Sequence, residues 1–306
     1  MEIRLYNGKW DGIWDMPKYQ RIREKIWKAF EGIEFVEETH QYFYKGKELI
    51  PTSNICHLFR HPFDEDYMAE SCAIKYSGLE GHKYYGMTKE EIIDSWHQNS
   101  KKATDHGTLM HLFGENCAYF MMRQYDRLTD DFKARIVKED NGKEYVVPNE
   151  PKEEAIVHFW NDLPVSIIPI VFEIQMFSLK YNVSGTADLL FLHDPHIEQE
   201  DNDEEIMQRL YLMDYKTNAD LYKYYDNMLE PFEELPDNDL GGYKIQAAIY
   251  SGFLMSIGFN FVARALIWLK EDGSYEKVKM ESLTQILRDY LETHPIPQLI
   301  KERQNH

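Results

Sequence analysis

Two short apolar segments of the chain carry carboxylates, and the second segment also carries a lysine. The first runs from Ser184 to Phe191 and contains Asp188, and the second ends with Asp214, Tyr215 and Lys216. Side chains two residues apart on a strand share a face, so Asp214 and Lys216 point the same way. Two carboxylates beside an ammonium suit the holding of a divalent cation and the activation of water against a phosphodiester.

The acid-x-Lys pattern alone is not specific, because it recurs in the tripeptides that begin at Asp131 and at Glu150. Both of these lie in charged stretches without a preceding apolar strand, and we interpret them as solvated surface. The tripeptide at Asp214 differs in its surroundings: an apolar run precedes it, and Asp188 lies one predicted strand earlier.

Further motifs flank these two strands in a fixed order. A helical Gly-Thr-x-x-His element ends at His111, with Glu115 one turn later, and Glu173 lies on the strand before the first carboxylate. A Gln-x-x-x-Tyr helix with Gln246 and Tyr250 follows the second strand. Together these elements resemble the PD-(D/E)xK nuclease superfamily, in its branch of RecB-like and phage lambda-type exonucleases. The resemblance covers about residues 88 to 280.

A hard divalent cation is the cofactor that these residues predict. Asp188 and Asp214 supply the oxygen ligands that Mg²⁺ prefers, and a peptide carbonyl near Tyr215 adds another. The resemblance adds His111 as a ligand, and an imidazole nitrogen favours Mn²⁺ over Mg²⁺. We therefore expect one or two Mg²⁺ or Mn²⁺ ions per site, with Mn²⁺ at least as effective as Mg²⁺.

The other site residues are expected to assist this centre. Lys216 orients or deprotonates the attacking water, or stabilises charge on the phosphate, and both roles stay open. Glu173 is a further catalytic carboxylate, acting directly or through water. Glu115 shares a helix face with the histidine and is a candidate acceptor for its imidazole. The resemblance assigns Gln246 and Tyr250 to support of the site and contact with DNA, and Thr217 is a weaker candidate for a phosphate contact.

The activity implied is metal-dependent hydrolysis of DNA. Exonuclease action on linear double-stranded or single-stranded DNA fits the resemblance, in recombination, repair or phage DNA processing. A recombination or single-strand-binding protein is a possible second partner. The alternatives are an endonuclease specific for single strands or DNA structures, and a non-catalytic nucleic-acid-binding or assembly subunit on the same fold. The oligomeric state stays open.

The composition limits the classes of protein to which this chain can belong. The 306 residues are 43 % hydrophobic, which is enough for a substantial core. No apolar run reaches 18 residues, so no membrane association is expected. The widely spaced cysteines Cys56, Cys72 and Cys117 fit a reducing cytoplasm, in a bacterium or a phage-infected cell. Because no cysteine follows Cys117, we expect no iron–sulfur cluster of the kind that some RecB-like nucleases carry.

The net charge of −19 is unusual for a DNA enzyme, because affinity for nucleic acid rests on Lys and Arg contacts to phosphates. Much of the acid lies in two stretches, 194–205 and 226–239, which we predict to be solvated loops. Basic residues gather elsewhere and are candidates for a narrow DNA track: Lys18, Arg21, Arg23, Lys25, Lys28, Lys101, Lys102, Lys244, Arg264 and Lys270.

The order of predicted elements is typical of an α/β (α+β) fold with a central mixed sheet flanked by helices. Hydrophobic periodicity predicts helices over 17–30, 88–96, 104–125, 241–257 and 283–300, and strands over 167–177, 183–192, 210–216, 261–269 and 275–280. We also expect Thr52 or Ser53 to cap a short helix that ends near His61, and a small hairpin or excursion around Asn141. The resemblance makes the core restriction-endonuclease-like. We assign 1–103 to an N-terminal, mainly helical region with a small hairpin and 104–306 to the nuclease core, in one compact unit.

Overall fold

A computed structural model describes residues 3–199, 202–224 and 226–303. Helices and strands are interspersed along these residues. The helices are α1 Pro17–Ala29, α2 Thr52–His57, α3 Glu65–Tyr76, α4 Lys89–Met121, α5 Asp130–Ala134, α6 Pro151–Asp162, α7 Asp203–Ile206, α8 Asp239–Met255, α9 Thr284–Thr293 and α10 Ile296–Arg303. The strands are β1 Leu5–Tyr6, β2 Ile33–Val36, β3 Gln41–Tyr44, β4 Lys47–Pro51, β5 Val137–Lys138, β6 Glu144–Val146, β7 Ile167–Ser178, β8 Val183–His193, β9 Leu210–Lys216, β10 Phe261–Leu269 and β11 Tyr275–Met280.

A large mixed sheet is the centre of the fold. Within the described ranges it contains eight strands, in the order β11-β10-β9-β8-β4-β3-β2, with β7 paired to β8 off this path. The β9–β10 and β4–β8 pairs are parallel, and the other pairs in this sheet are antiparallel. Helices flank the sheet, so the predicted α/β class with a central mixed sheet is confirmed. A smaller sheet has the order β1-β6-β5.

The predicted core strands are confirmed to within a residue or two, because long apolar runs there leave little choice of register. The residues of β7 from Ile167 to Phe172 are all buried, as expected for a strand with both faces covered. The predicted N-terminal hairpin is confirmed as β2 and β3, and the one around Asn141 as β5 and β6. None of the helices within the described residues is both long and apolar enough to cross a bilayer.

The two helices predicted over 88–96 and 104–125 are one continuous 33-residue helix, α4. Its start is as expected, because Thr88 and Glu91 form a capping box. Gly107 lies within the helix, where glycine costs about 1 kcal/mol relative to alanine but does not end the helix. The division drawn between residues 103 and 104 therefore falls inside α4, and β4 of the N-terminal region pairs with β8 of the core.

The longer helices α3 and α6 were missed, as were the short helices α5 and α7, and one surface prediction was wrong. The sequence analysis did not predict α3 or α6, although Pro151 stands at the favoured first position of α6. Lys152, in the tripeptide that begins at Glu150, is only 6 % exposed rather than solvated. Its ammonium donates to the carbonyl of Thr217 (3.0 Å) and pairs with Glu271 (2.6 Å).

The first acidic stretch is not simply a solvated loop. Asp194 is 1 % exposed, and its carboxylate pairs with Lys18 (2.7 Å) and accepts a hydrogen bond from the hydroxyl of Tyr19 (2.7 Å). Burial alone would raise the pKa of Asp194, but these hydrogen bonds lower it below its ordinary value. Lys18 is thereby removed from the proposed DNA track. Glu200 and Asp201 of the same stretch lie outside the described residues.

Candidate metal centre

The candidate centre lies at an interruption in the pairing along one edge of β8. One edge pairs with β7 along the whole strand, so β4 and β9 must share the other edge. There, β4 pairs with Val183 and Ser184, and β9 pairs with Leu189 to Leu192. No described strand pairs with residues 185–188 on this edge. The motif from Gly185 to Asp188 therefore lines an opening in the sheet.

Three carboxylates form one row across three neighbouring strands at this opening. The register of β7 on β8 places Glu173 opposite Asp188, and the register of β9 on β8 extends to place Asp214 opposite Asp188 from the other side. Glu173 has a φ of 44°, which is uncommon for any residue other than glycine and departs from strand geometry. Like charges in one row repel, so the arrangement calls for compensating positive charge.

Helix α4 brings His111 to this row. The imidazole Nδ1 lies 3.3 Å from Oδ2 of Asp188 and 3.6 Å from Oε1 of Glu173. One ligand atom from each of the three side chains lies within 4.8 Å of the other two, and Asp188 is buried. His111, Glu173 and Asp188 are thus the set that offers converging metal-ligand atoms; Asp214 and Tyr215, also predicted as ligands, are not in it.

The charges around His111 hold a proton on its ring. Burial alone would lower the pKa of His111, but Asp188 and Glu173 outweigh this effect and raise it well above the ordinary value of 6.5. The imidazolium provides positive charge among the acids. Because a metal ligand must be the neutral imidazole, a cation at this site would displace that proton.

Asp214 is engaged with Lys216. The Lys216 ammonium contacts Oδ2 of Asp214 and lies 4.4 Å from the ring centroid of Tyr243 on α8. Burial and then repulsion from Asp188 raise the pKa of Asp214 to about 7, against the opposing effect of Lys216. Burial alone would lower the pKa of Lys216, but Asp214 and Asp188 raise it above its ordinary value. Lys216 therefore remains an ammonium at neutral pH.

The ring of Tyr215 fixes the distance between α4 and β9. A Cβ added at Gly114, one turn after His111, would lie 2.5 Å from Cε2 of Tyr215. The Tyr215 ring is fully buried and packs edge-on against Phe159 of α6. This close contact, which only glycine permits at position 114, sets the height of His111 above the carboxylates.

Helix α8 closes the opening beside β8. A Cβ at Gly185 would lie 2.7 Å from Cε1 of Tyr250 and 2.7 Å from Oγ1 of Thr52. The amide of Gln246 donates to the Tyr250 hydroxyl (3.1 Å). Thr52 donates to the carbonyl of Ser184 (2.8 Å), so its hydroxyl does not cap α2 as the sequence analysis expected. Gln246 and Tyr250 are therefore at the site, on the side where β8 lacks a strand neighbour.

Glu115 and Thr217 occupy less central places. Glu115 interacts with Tyr119 and Arg127 rather than holding the imidazole as predicted, and burial together with Glu173 raises its pKa. The Thr217 hydroxyl lies 3.5 Å from the place of a Cβ on Gly107, and its carbonyl accepts from Lys152. Thr217 thus lies at the junction of β9 with α4, away from the converging ligand atoms.

The sequence analysis assigned no role to Tyr243 or Lys152, although each contacts a predicted site residue. Tyr243 precedes Gln246 by three residues and Tyr250 by seven, which is the spacing of one helix face, so the pattern was present. The Tyr243 hydroxyl donates to Asn218 (2.9 Å), which holds its ring under the ammonium of Lys216. The contact of Lys152 with the carbonyl of Thr217 depends on the tertiary fold, and no local sequence pattern predicts it.

The later members of the proposed DNA track are engaged within the protein. Lys244 pairs with Glu281 (2.6 Å) and Lys270 with Glu276 (2.7 Å). Arg264 is buried and donates to the hydroxyl of Ser251 (2.6 Å). These three cations therefore do not form an open basic track.

No protein-family model matches the chain, and none of the curated proteins matches it. The argument for function therefore rests on the geometry of the site.

Proposed function

We propose that the protein is a metal-dependent DNA nuclease with a restriction-endonuclease-like core. One observation carries the proposal: the Asp188 carboxylate lies within reach of His111 and Glu173 and also accepts a hydrogen bond from the strand that bears Asp214 and Lys216. Asp188 therefore belongs to the set of converging ligand atoms and is also hydrogen-bonded to the strand that carries the acid-x-Lys pair. Fold alone would not support a function, and the proposal depends on this constellation.

The residues present fit a divalent cation. Asp188, Glu173 and Asp214 bring three carboxylates together, and burial, followed by repulsion from Asp188, raises the pKa of Asp214. Asp188, Glu173 and His111 would hold one ion, with Asp214 completing its shell or contributing to a second. A bound Mg²⁺ or Mn²⁺ would supply charge stabilisation at the phosphate and lower the pKa of the attacking water.

Lys216 acts in this proposal as an electrostatic group rather than as a base. Its ammonium keeps its proton at neutral pH because Asp214 and Asp188 raise its pKa. It would therefore stabilise the negative charge that develops on the scissile phosphate, from a position fixed by Asp214 and the Tyr243 ring. Tyr250 and Gln246 would hold the wall of the opening against β8.

The test is incubation of labelled linear, circular and single-stranded DNA with Mg²⁺, with Mn²⁺ and with EDTA. We expect cleavage only with metal, and its loss in Asp214→Asn and Lys216→Ala. Asp131→Asn and Lys133→Ala are matched controls, because these two residues repeat the acid-x-Lys pattern on the surface. Degradation of linear DNA alone would indicate an exonuclease, and cutting of circles an endonuclease. Binding without cleavage would contradict the proposal and favour a non-catalytic subunit.

A further inference from the structure

A cleft of about 370 Å³ lies beside the candidate centre and shares Glu173 with it. Its other walls include Trp14, Trp27, Tyr119 and Arg127. The volume falls within the range of roughly 300–1,000 Å³ that is usual for small-molecule sites. Since Glu173 also contributes to the converging ligand atoms, a molecule in the cleft would lie next to the centre.

The aromatic walls of the cleft differ in how much surface they leave free. Trp14 stacks on Phe172 with an interplanar angle of 12°, and Tyr119 meets the same ring edge-on, so both are buried. Trp27 is 39 % exposed instead. Its contact with a cation is the guanidinium of Arg127, 5.9 Å from its ring centroid. Trp27 thus offers an indole surface to a planar ligand.

Two arginines lack a carboxylate partner: Arg127, which lines the cleft, and Arg23, which lies behind its Trp14 wall. Arg23 is 4 % exposed, lies 3.8 Å over the ring of Trp14, and its Nη1 has no hydrogen-bond partner among the described residues. Arg127 hydrogen-bonds to the Tyr119 hydroxyl (3.5 Å) and makes no ion pair within 4 Å in the part of the chain that is described. A buried unpaired guanidinium is unfavourable, and an anion would compensate it.

The electrostatics of Arg23 agree with this geometry. Burial and, to a smaller extent, Arg127 lower the pKa of Arg23 to about 10, against the opposing effects of Asp15 and Glu24, which lie farther away than an ion pair. Two like charges that repel each other beside one cleft favour an anion, in a chain whose net charge is −19.

We infer that this cleft binds one unpaired nucleotide of the DNA strand that the centre cleaves, with its base on Trp27 and its phosphate at Arg127, while Arg23 behind Trp14 adds positive charge beside the cleft. The inference rests on the proposed nuclease function. A base must leave the duplex stack before an aromatic side chain can cover its face, so the cleft selects single-stranded or frayed DNA. Glu173, common to cleft and centre, places the adjoining phosphodiester at the carboxylates.

The binding test uses a fluorescently labelled (dT)₁₂ oligonucleotide in EDTA, followed by anisotropy, so that no cleavage occurs. Trp27→Ala should weaken binding roughly 5- to 150-fold, the range for loss of one base-stacking contact. Arg127→Ala should weaken binding and reduce its dependence on salt concentration, as expected for loss of a phosphate contact. Trp27→Phe should restore most of the affinity, which separates stacking from a folding defect. Tyr6→Ala and Arg123→Ala are the controls: Tyr6 has the same 39 % exposure as Trp27, and neither residue lines the cleft. Wild-type affinity in Trp27→Ala would overturn the inference.

Cleavage assays on single-stranded and blunt duplex DNA then separate this inference from the nuclease proposal. If the wild type cleaves and Trp27→Ala raises KM for single strands with kcat nearly unchanged, both stand. If Trp27→Ala cleaves both substrates with the wild-type KM while Lys216→Ala is inactive, the cleft assignment is wrong and the nuclease stands. If oligonucleotide binding depends on Trp27 but no DNA is cut with either metal, the nuclease proposal is wrong and the binding site stands.

Discussion

The backbone N–H of Tyr215 donates a hydrogen bond of 2.8 Å to the side-chain carboxylate of Asp188. The β8–β9 ladder has ended by this point, since its last pair is Leu189 with Met213. The Asp188 side chain therefore takes the place of a backbone acceptor and ties the acid-x-Lys strand to the opening in the sheet. The same carboxylate also faces His111, so one residue joins the strand pairing to the proposed metal chemistry.

Lys216→Ala tests the electrostatic role of the lysine. Loss of a well-aimed electrostatic group typically reduces the rate by ~10²–10³, so we expect a fall in kcat of that size. Binding of Mn²⁺, measured by calorimetry, should persist because the lysine is not a ligand. Lys270→Ala removes another ion-paired lysine, at a surface pair with Glu276, and should leave the rate unchanged. Near-wild-type kcat in Lys216→Ala would exclude the lysine from the reaction.

His111→Ala tests metal selectivity. With the imidazole present, Mn²⁺ should support cleavage at least as well as Mg²⁺. Without it, the advantage of Mn²⁺ should disappear, and Mn²⁺ affinity should fall by about tenfold or more. His106→Ala is the matched control on the same helix, because His106 pairs with Glu150 instead. An unchanged ratio of Mn²⁺- to Mg²⁺-supported rates in His111→Ala would argue against ligation.

The affinity of the wild type for Mn²⁺ should increase with pH. Asp188 and Glu173, acting against burial, hold a proton on His111 by raising its pKa above 6.5, and the ion must displace that proton. Titration calorimetry in several buffers should therefore detect proton release on binding, which is smaller in His111→Ala because only Asp214, whose pKa is raised to about 7, still releases a proton there. Binding without proton release between pH 6 and 8 would be inconsistent with the histidine as ligand.

Asp214→Asn tests the linkage between the centre and stability. Burial and Asp188 raise the pKa of Asp214 from 3.8 to about 7, so between these pH values the folded state binds more protons than the unfolded state. The free energy of unfolding of the metal-free protein must therefore fall as pH rises through this interval. One pKa unit corresponds to about 1.4 kcal/mol, so the contribution of Asp214 is on the order of a few kcal/mol.

The measurement is urea denaturation in EDTA between pH 5 and 8. The fall in stability should be smaller in Asp214→Asn than in the wild type, since the variant has no proton to lose at this position. His111 contributes in the same direction in both proteins, because its raised pKa also makes stability decline with rising pH. Asp131→Asn, an exposed control, should follow the wild-type curve. Parallel curves for Asp214→Asn and the wild type would refute the linkage.

Gly114→Ala tests the packing of α4 against β9. The added methyl would lie 2.5 Å from the buried ring of Tyr215, and overpacking of this kind typically costs about 1–3 kcal/mol. Gly252→Ala is the control within a helix, since its nearest heavy atom would be 3.8 Å away. That change should be neutral or stabilise the protein by up to about 1 kcal/mol. Equal thermal stability of the two variants would contradict the account of the helix position.

The core strands and the site motifs could be predicted from the sequence because they are marked by patterns among residues that are close together in the chain. Apolar runs predicted β7 to β11, and Asp214 and Lys216 were recognised as neighbours from their spacing of two. The continuity of α4 was missed because the mostly polar residues 97–103, between the two predicted helices, carry no apolar periodicity. These residues are all exposed in α4, so no buried face marks them as helical in a local window.

Contacts between residues that are far apart in the chain could not be predicted from the sequence. Asp194 was assigned to a solvated loop because its neighbours are acidic, yet Lys18, far away in the chain, neutralises it in the interior. The contact of Arg23 with Trp14 and its position beside the cleft of Trp27 likewise depend on how α1 meets β7. Such contacts follow from tertiary packing, which the spacing of residues along the chain does not predict.

The most direct test of the central claim is anomalous diffraction from crystals of the protein soaked with Mn²⁺. The account predicts a peak bonded to the carboxylate of Asp188, with His111 and Glu173 as further ligands, Asp214 completing the shell or contributing to a second peak, and Lys216 alongside. A peak confined to other parts of the molecule, or no peak at Asp188 under saturating Mn²⁺, would contradict it.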